Sequence, residues 1–406
     1  MNSRPLSICQ IIPALGAGGA EQGCIDVAAG IRANGGESFV ISHGGSRVPE
    51  LLRHGTTHID MPVHSKNPIT AWKNYNEIRR LIREKNIKLI HVRSRAPAWS
   101  AYYAARAENI PFITTCHAPY NIKNNEWKRK YNAIMARGDR VIAISKFVKQ
   151  YLLGNYNIDE TNIRLIPRGV DIDKFHPSKV TSERMIKLTQ QWRIPDGARV
   201  ILLPGRLTRW KGQSVLINAM AQIKDQDLFA VLIGSDQGRT EYRTELENLI
   251  REKNLEHRVR VTDHCNDMPA AYSLATIVCS ASTDPEGFGR ISIEAQAMGR
   301  MIIATDHGGA KETIVAGETG WLVPPADSSA LAKVIAEALD MEPEKRAIMA
   351  SHAMAHIADH FTRGKMVDET MDVYAELLQE KYTGVRRDPV SPQAPVLQSD
   401  LKQAAE

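Results

Sequence analysis

Short apolar segments alternate with helical patterns along almost the whole of this chain. In the first half, residues 6–12 and 39–42 are apolar runs of strand length, and residues 22–34 between them have helical periodicity. The same alternation begins again with apolar runs at residues 200–203 and 229–234. Because strands that alternate with helices form parallel sheets, the pattern predicts an α/β fold. A chain of 406 residues is long enough for two such domains.

Composition narrows the class of protein further. No run of about 18 apolar residues occurs, so we expect no membrane-spanning helix. The apolar start of the chain is broken by Gln10 and Pro13, which favours a first strand over a signal peptide. The five cysteines are scattered, without a Cys-x2-Cys pair, which indicates a reducing compartment and argues against a zinc site. The expected location is therefore cytoplasmic.

The segment of residues 282–313 combines two glutamates with two glycine turns. Glu286 lies in the loop Pro-Glu-Gly-Phe-Gly, and Glu294 lies eight positions later in a predicted helix at residues 291–298. Glycines let backbone N–H groups approach a ligand closely. The N-terminus of a helix carries free N–H groups and a positive dipole end, which attract phosphate.

Two cations precede this segment in the sequence. Arg206 and Lys211 follow the apolar run at residues 200–203, so they lie at the carboxyl end of a predicted strand. Open α/β sheets bind their ligands at such ends. Together with the glutamates and the helix N-terminus, these cations predict a pocket for a diphosphate with a sugar attached.

With these residues in order, the sequence resembles the family 4 retaining glycosyltransferases of the GT-B fold. The resemblance rests on three motifs that are specific in combination: Arg206, Lys211 and Gly212; Glu286 and Glu294; Gly308, Gly309 and Glu312. It implies two Rossmann-like parallel-sheet domains that face each other across a cleft. It also implies an acceptor-side domain at residues 1–175, a donor domain at 176–364 and a helix at 365–382 that crosses back to the first domain. Residues 383–406 are rich in Pro, Gln and Ser, which predicts a disordered tail.

The resemblance assigns roles to residues of the second half. Arg206 and Lys211 would stabilise the departing diphosphate, Glu286 would contact the donor sugar, and Glu294 would hold the ribose hydroxyls. Backbone N–H groups that follow Glu286 would help to stabilise the diphosphate, and two further turns would flank the base of the nucleotide. The remaining predicted donor-binding residues are Gly205, Gly234, Met268, Gly287, Phe288, Gly289, Arg290 and Ile291.

The first half contains a glycine-rich turn after its first strand. The spacing Gly16-x-Gly18-x-x-Glu21 lacks the third glycine of a dinucleotide-binding turn, and the next strand ends without an acid, so NAD binding is not favoured. The resemblance makes Gly18, Gly19 and Glu21 candidate cleft residues, although a tight turn that needs small residues is an open alternative.

Three more candidates in the first half follow predicted strands. Arg93 and Arg95 could contact an anionic acceptor, or they could be structural or surface arginines. His117 lies where the family has a histidine near the transferred sugar, and we predict a catalytic role for it. A structural histidine is the alternative.

The net charge of +6 bears on partners. A basic protein can attract nucleic acid, anionic lipid or an anionic substrate, but no nucleic-acid-binding module is recognisable here. A merely basic solvated surface and peripheral contact with the inner face of the cytoplasmic membrane both stay open. The best local candidate for membrane contact combines aromatic and basic side chains, namely Lys123, Trp127, Lys128, Arg129, Lys130 and Tyr131.

The function implied by the resemblance is retaining transfer of a hexosyl unit from a nucleotide sugar to a glycan or lipid-linked acceptor. A UDP-sugar is the favoured donor and GDP-mannose the alternative, with neither a metal nor another cofactor expected. The implied pathway class is cell-surface polysaccharide or lipopolysaccharide synthesis. Two alternatives stay open: a nucleotide-sugar 2-epimerase of the same fold, and a non-catalytic protein that binds nucleotide sugars.

Overall fold

The computed structural model describes residues 6–16, 18–120, 122 and 125–384. These residues form two compact units. The first unit runs to Arg168 and resumes at Gly364, and the second unit spans Gly169–Arg363. The predicted disordered tail lies outside the described residues from 385 onward, whereas Thr383 is the last residue of the final helix.

Strands and helices alternate through both units, as predicted. The strands are β1 (Ser7–Ile11), β2 (Glu37–Ser42), β3 (Thr57–Asp60), β4 (Leu89–Val92), β5 (Phe112–Cys116), β6 (Arg140–Ala143), β7 (Ile163–Leu165), β8 (Arg199–Pro204), β9 (Leu228–Ile233), β10 (Val259–Thr262), β11 (Ala275–Ser280), β12 (Met301–Thr305) and β13 (Trp321–Val323). The helices are α1 (Gly19–Ala33), α2 (Val48–Arg53), α3 (Pro68–Glu84), α4 (Arg95–Ala107), α5 (Glu126–Asn132), α6 (Lys146–Asn155), α7 (Ser182–Trp192), α8 (Gln213–Gln222), α9 (Thr240–Glu252), α10 (Met268–Leu274), α11 (Arg290–Ala297), α12 (Ser328–Leu339), α13 (Pro343–His360) and α14 (Arg363–Thr383).

The first unit is built on a seven-stranded sheet with the order β3-β2-β1-β4-β5-β6-β7. Every strand pair in it is parallel. The central strands β1, β4 and β5 are buried along their whole length, as expected for a sheet covered by helices on both faces. Because β1 continues to β2 on one side and β4 continues to β5 on the other, the strand order reverses between β1 and β4.

Helix α14 belongs to the first unit although it is last in the chain. Glu376 on this helix accepts hydrogen bonds from Arg140 on β6 and Arg164 on β7. The hydroxyl of Tyr374 contacts Nδ1 of His91 on β4 at 2.6 Å, and both side chains are fully buried. Buried ion pairs and hydrogen bonds of this kind fix the register of a helix on a sheet, since leaving either partner unpaired is costly.

The second unit is built on a six-stranded sheet with the order β10-β9-β8-β11-β12-β13. All its strand pairs are parallel as well. Here the order reverses between β8 and β11. A continuous apolar core joins this sheet to α8, α9 and α12. The fold class predicted from the sequence, two Rossmann-like parallel-sheet domains, is confirmed.

Among the elements that were not predicted from the sequence are β3 and α2 of the first unit. β3 has the sequence Thr-His-Ile-Asp, is only partly covered and lies at the edge of its sheet. α2 has six residues, of which only Leu51 is buried. Neither segment carries the apolar run or the extended periodicity on which the predictions depend, because an edge position and a short helix need few buried side chains.

Candidate functional site

The reversal point of the second sheet brings together the two segments that the motifs identify. β8 and β11 are neighbours, so the loops after Pro204 and Ser280 leave the sheet side by side. Arg206 and Lys211 belong to the first loop, and Glu286 belongs to the second. In open α/β sheets, ligands bind in the crevice that such a reversal creates.

The central contact across these two loops is an ion pair. Nζ of Lys211 lies 2.8 Å from Oε1 of Glu286, and both side chains are largely covered. The same carboxylate oxygen accepts a hydrogen bond from the hydroxyl of Ser282. Nζ of Lys211 also lies 4.6 Å from the ring centroid of Trp210. The ammonium group is therefore held at one place between the two loops.

Arg206 differs from Lys211 in its environment. Its side chain is exposed, and no carboxylate of the described residues lies within ion-pair distance of it. Its backbone is fixed, because its carbonyl oxygen accepts a hydrogen bond of 2.9 Å from the side chain of Gln213. The loop thus presents one covered cation with an acid partner and one exposed cation.

Glycines allow these loops to approach each other. A Cβ atom at Gly234, after β9, would lie 1.8 Å from the carbonyl oxygen of Gly205. Gly308 has a φ of +62°, and a Cβ atom there would lie 2.6 Å from the carbonyl oxygen of Glu286. The next residue, Gly309, donates its N–H to that carbonyl at 2.8 Å. The third motif therefore supports the backbone of the loop that carries Glu286.

Glu294 lies in α11, as predicted, and is 7% exposed. Its Oε1 accepts a hydrogen bond of 2.8 Å from Nε of Arg290, one turn earlier in the helix. Its Oε2 accepts a hydrogen bond of 2.8 Å from the hydroxyl of Tyr272, on α10. Burial and the neighbouring carboxylate raise the pKa of Tyr272 well above its usual value, so this hydroxyl keeps its proton and acts as a donor.

The other predicted donor-binding residues lie around α11 and α10. Gly289 immediately precedes the first residue of α11, so the predicted backbone donors cluster at the N-terminus of this helix. The side chain of Phe288 is buried against Phe361, 5.9 Å between ring centroids, which leaves only its backbone for a ligand. Met268 begins α10, and the cap of that helix is Asp267.

In the first unit, the predicted residues also lie at carboxyl ends of strands. Gly18 caps α1, Gly19 begins it and Glu21 lies in its first turn. Arg93 follows β4 but is only 3% exposed, and its Nε donates to Oε1 of Gln10 at 2.7 Å. Contact of Arg93 with an acceptor stays a prediction, and it requires that an acceptor group reach a buried guanidinium.

His117 follows β5 and is paired with an arginine that the sequence analysis did not single out. Nη2 of Arg168 lies 2.5 Å from Nδ1 of His117. A guanidinium can only donate, so Nδ1 is the acceptor and the proton of the neutral ring lies on Nε2. Burial, Arg168 and Arg93 lower the pKa of His117 well below its usual value.

Arg95 lies at the start of α4 and is held by the aromatic side chain of Tyr120. Its guanidinium carbon is 4.2 Å from that ring centroid, and its Nη1 donates to Oδ1 of Asn132 at 2.9 Å. The side chain is partly exposed, so it stays a candidate for contact with an anion.

Tyr272 and Arg168 are therefore the site residues that sequence reasoning missed. Arg168 follows β7 in the segment Ile-Pro-Arg-Gly-Val-Asp, so the argument applied to Arg93 would also have found it. The sequence around Tyr272 gives no such signal. A buried aromatic residue in a short helix produces the same sequence pattern whether it only packs in the core or also contacts a site residue.

No group of three or more His, Cys, Asp or Glu side chains in the described part of the chain could hold a metal ion. Within the same residues, no helix is both long and apolar enough to cross a membrane.

The chain matches two family models that divide it in the same way as the fold. Residues 17–174 match the model described as Glycosyltransferase Family 4, and residues 185–356 match that of the Glycosyl transferases group 1. A glycosyltransferase of known structure from Rickettsia africae ESF-5 is 37% identical, with a TM-score of 0.86 over 93% of this chain and 99% of that one.

Two further proteins are similar over much of their length. A D-inositol 3-phosphate glycosyltransferase of Salinispora tropica is 27% identical over 316 residues, which are 73% of this chain and 65% of that protein. The Anabaena protein Alr3699/HepE, solved in complex with UDP-glucose, is 24% identical, with a TM-score of 0.81 over 92% of this chain and all of that one. The latter likeness shows the fold alone, and the predicted GT-B class is confirmed.

The close likeness to the Rickettsia protein over nearly the whole length of both chains, together with the two family models, shows the family. This chain belongs to the glycosyltransferases, with a family 4 segment in its first half and a group 1 segment in its second.

Proposed function

We propose that the chain transfers a hexosyl unit from a nucleoside-diphosphate sugar to a glycan or lipid-linked acceptor, with retention of anomeric configuration and without a metal ion. The observation that carries this proposal is the ion pair of Lys211 and Glu286 at the reversal point of the second sheet. A cation and an acid held side by side match a donor that has a leaving diphosphate next to a sugar.

The chemistry of the leaving group explains the need for fixed charges. As the bond between sugar and diphosphate breaks, negative charge builds up on the phosphate oxygens. Lys211 is already positioned by its contacts, Arg206 has an exposed side chain, and α11 begins at the end of the loop that carries Glu286. Positive groups that are held in place before the reaction stabilise this developing negative charge most effectively.

Glu286 is assigned to the donor sugar and Glu294 to the ribose. Both are carboxylates, and a carboxylate can accept hydrogen bonds from two neighbouring hydroxyl groups of a sugar. A UDP-sugar is the favoured donor, because the Anabaena protein of the same fold is solved with UDP-glucose, and GDP-mannose is the second candidate.

The acceptor has two candidates. Cell-surface polysaccharide or lipopolysaccharide synthesis follows from the class of enzyme that the sequence resembles. D-inositol 3-phosphate is the second candidate, because it appears in the names of relatives such as the Salinispora tropica protein and one of Corynebacterium aurimucosum, which is 30% identical. The 2-epimerase alternative is not favoured, because these relatives and the Rickettsia protein are all glycosyltransferases.

Peripheral contact with the inner face of the cytoplasmic membrane forms part of the proposal. Trp127 on α5 is 83% exposed, and Nζ of Lys130 lies 5.8 Å from its ring centroid. Lys128 and Arg129 are on the same helix, whereas Lys123 lies outside the described residues. Basic residues attract anionic lipid, and tryptophan is enriched at the membrane interface.

The test begins with calorimetric titration of the purified protein with UDP, GDP and ADP, with and without EDTA. We expect one nucleotide to bind clearly more tightly, with the same affinity in EDTA. Absence of binding by all three would overturn the transferase proposal and favour a non-catalytic role. A dependence on added Mg²⁺ would overturn the metal-independent part.

The acceptor is then identified by product analysis. The protein is incubated with the sugar form of the nucleotide that binds, and with either D-inositol 3-phosphate or lipid-linked glycan extracted from cell envelopes. Mass spectrometry detects the glycosylated product, and the anomeric coupling constant in NMR distinguishes retention from inversion. Release of an epimerised sugar in place of a conjugate would support the epimerase.

A further inference from the structure

The carboxylate of Glu294 is held by two donors of different mobility. Tyr272 donates to Oε2 and is fully buried, with its ring 6.1 Å from that of Phe175. Arg290 donates to Oε1, but its side chain is 39% exposed and lies at the first position of α11. One donor is therefore locked into the interior, whereas the other can leave without breaking the core.

Each oxygen of Glu294 thus already accepts one hydrogen bond and keeps a second lone pair, and the proposed function requires this carboxylate to accept ribose hydroxyls as well. An incoming ribose needs a free lone pair in the direction of the pocket. Tyr272 is fully buried against Phe175, so it cannot move aside without opening a gap in the core. Arg290 can, and the N-terminus of α11 from which it projects is where the proposed diphosphate would lie.

We propose that donor binding exchanges one partner of Glu294, with Tyr272 retained as the residue that positions the carboxylate. Arg290 leaves Oε1, the ribose hydroxyls take its place, and the guanidinium turns to the diphosphate. This inference rests on the proposed function, because it assumes a ribonucleoside diphosphate at this site.

The exchange has a chemical logic. A ribonucleoside without phosphate would displace Arg290 from a charge-assisted hydrogen bond and offer the cation nothing in return. A nucleoside diphosphate supplies both replacements, hydroxyl groups for Glu294 and an anion for Arg290. The site therefore distinguishes a nucleoside diphosphate from a nucleoside or a diphosphate alone, because the contact of the ribose with Glu294 depends on the contact of the diphosphate with Arg290.

The first test measures recognition of the ribose. Titration calorimetry compares UDP with 2′,3′-dideoxy-UDP for the unmodified protein, Y272F, E294Q and the double variant; if GDP binds more tightly than UDP, GDP and its dideoxy form are used. We expect the unmodified protein to prefer the ribonucleotide by about 10–100-fold, since a buried acceptor left without its donor is costly. Y272F should reduce the preference to a few-fold, and should add almost nothing in the E294Q background, because the two residues act as one unit.

The second test separates the roles of Arg290. In R290M, we expect the affinity for uridine to be unchanged or higher, because Glu294 is no longer occupied by the arginine. The affinity for UDP should fall by about tenfold, which is typical of losing one charge-assisted hydrogen bond to an anion. Equal losses for uridine and UDP, or no change for either, would overturn the exchange.

Controls keep the outcomes distinct. Y374F removes the hydroxyl of another fully buried tyrosine, in the first unit, and should bind both nucleotides as the unmodified protein does. Thermal unfolding of each variant reports whether the fold is kept. If neither nucleotide binds the unmodified protein, the proposed function fails. If the nucleotide binds but Y272F keeps the full ribose preference, only the inference about Tyr272 fails.

Discussion

The two sheets of this protein reverse their strand order in the same way, but charge is used differently near the carboxyl ends of their strands. In the second unit, Lys211 is paired with Glu286 and Arg290 with Glu294, so these two cations each contact an acid. In the first unit, Arg93 donates to the neutral Gln10, and one contact of Arg168 is with the neutral ring of His117.

The difference indicates what each unit can do with a ligand. When a ligand binds, a cation that is paired with an acid can leave the acid and contact a phosphate, while the acid accepts a hydrogen bond from a hydroxyl group. Neither charge is then left buried without a partner. A buried cation that contacts a neutral ring instead keeps that ring unprotonated. We therefore expect the second unit to bind and release an anion, and the first to hold a histidine in one protonation state.

The largest expected effect is on the second unit. Lys211→Ala should lower kcat/KM by about 10²–10³-fold, because it removes a positioned charge from the developing diphosphate. Steady-state assays with the preferred nucleotide sugar measure this, and circular dichroism checks that the fold is kept.

Lys253→Ala is the matched control for this loss. Lys253 is also a lysine of the second unit in contact with a glutamate, Glu252, but the two side chains are 36% and 67% exposed and lie at the C-terminal end of α9. It should leave the rate unchanged. A rate for Lys211→Ala within about threefold of the unmodified protein would contradict the assignment of Lys211 to the diphosphate.

The next effect tests the first unit through its pH dependence. Burial and Arg168 lower the pKa of His117, so the ring is neutral in the folded protein well below pH 6.5. In Arg168→Met the charge is gone and the pKa rises toward its usual value. The variant should therefore lose activity as the pH falls from about 7.5 to 5.5, over a range in which the unmodified protein is constant. At pH 6 we expect a loss of up to about fourfold, because a histidine with the usual pKa of about 6.5 is only about one quarter neutral at that pH.

Arg164→Met is the control for this profile. Arg164 is another arginine of the first unit, paired with Glu376 on α14, and it does not contact His117. Its loss should lower stability without moving the acid limb of the pH profile. If both variants show the same acid limb, the effect reports general destabilisation, and the role of Arg168 in holding His117 neutral is wrong.

In both units, part of the site could be predicted from the sequence and part could not. The loops after β8 and β11 were located from sequence, because glycines, cations and acids at strand ends obey rules of backbone geometry that act locally. The contact of Tyr272 with Glu294 and that of Arg168 with His117 could not be predicted, since each joins distant elements: α10 with α11, and the segment after β7 with the segment after β5.

The strands of the fold likewise include some that could be predicted from the sequence and others that could not. Buried central strands such as β8 are fixed by their apolar runs, and the structure extends the predicted run at residues 200–203 by one residue at each end. β3 was missed because its position at a sheet edge leaves half of it exposed. Periodicity therefore reports burial, and it fails where pairing of backbone groups alone holds a strand.

The smallest expected effect concerns the surfaces of the units. The large aromatic side chains that are exposed in the described residues, Trp72, Tyr103, Trp127 and Tyr382, all belong to the first unit. If α5 contacts anionic lipid, Trp127→Ala should weaken binding to vesicles that contain about 30% phosphatidylglycerol by about fivefold, as expected for about 1 kcal/mol per interfacial contact. Vesicle sedimentation measures this, and turnover of a water-soluble acceptor should be unchanged.

Trp72→Ala is the matched control, because Trp72 is 66% exposed but lies on α3, outside the basic segment. Raising the salt concentration should weaken binding of the unmodified protein and of Trp72→Ala alike, since the attraction of Lys128 and Lys130 to lipid is screened. Equal losses in both tryptophan variants would mean that exposed aromatic area, rather than the basic segment of α5, determines membrane binding. Absence of binding to anionic vesicles at low salt would mean that the net charge of +6 reflects a basic surface that contacts solvent and not lipid.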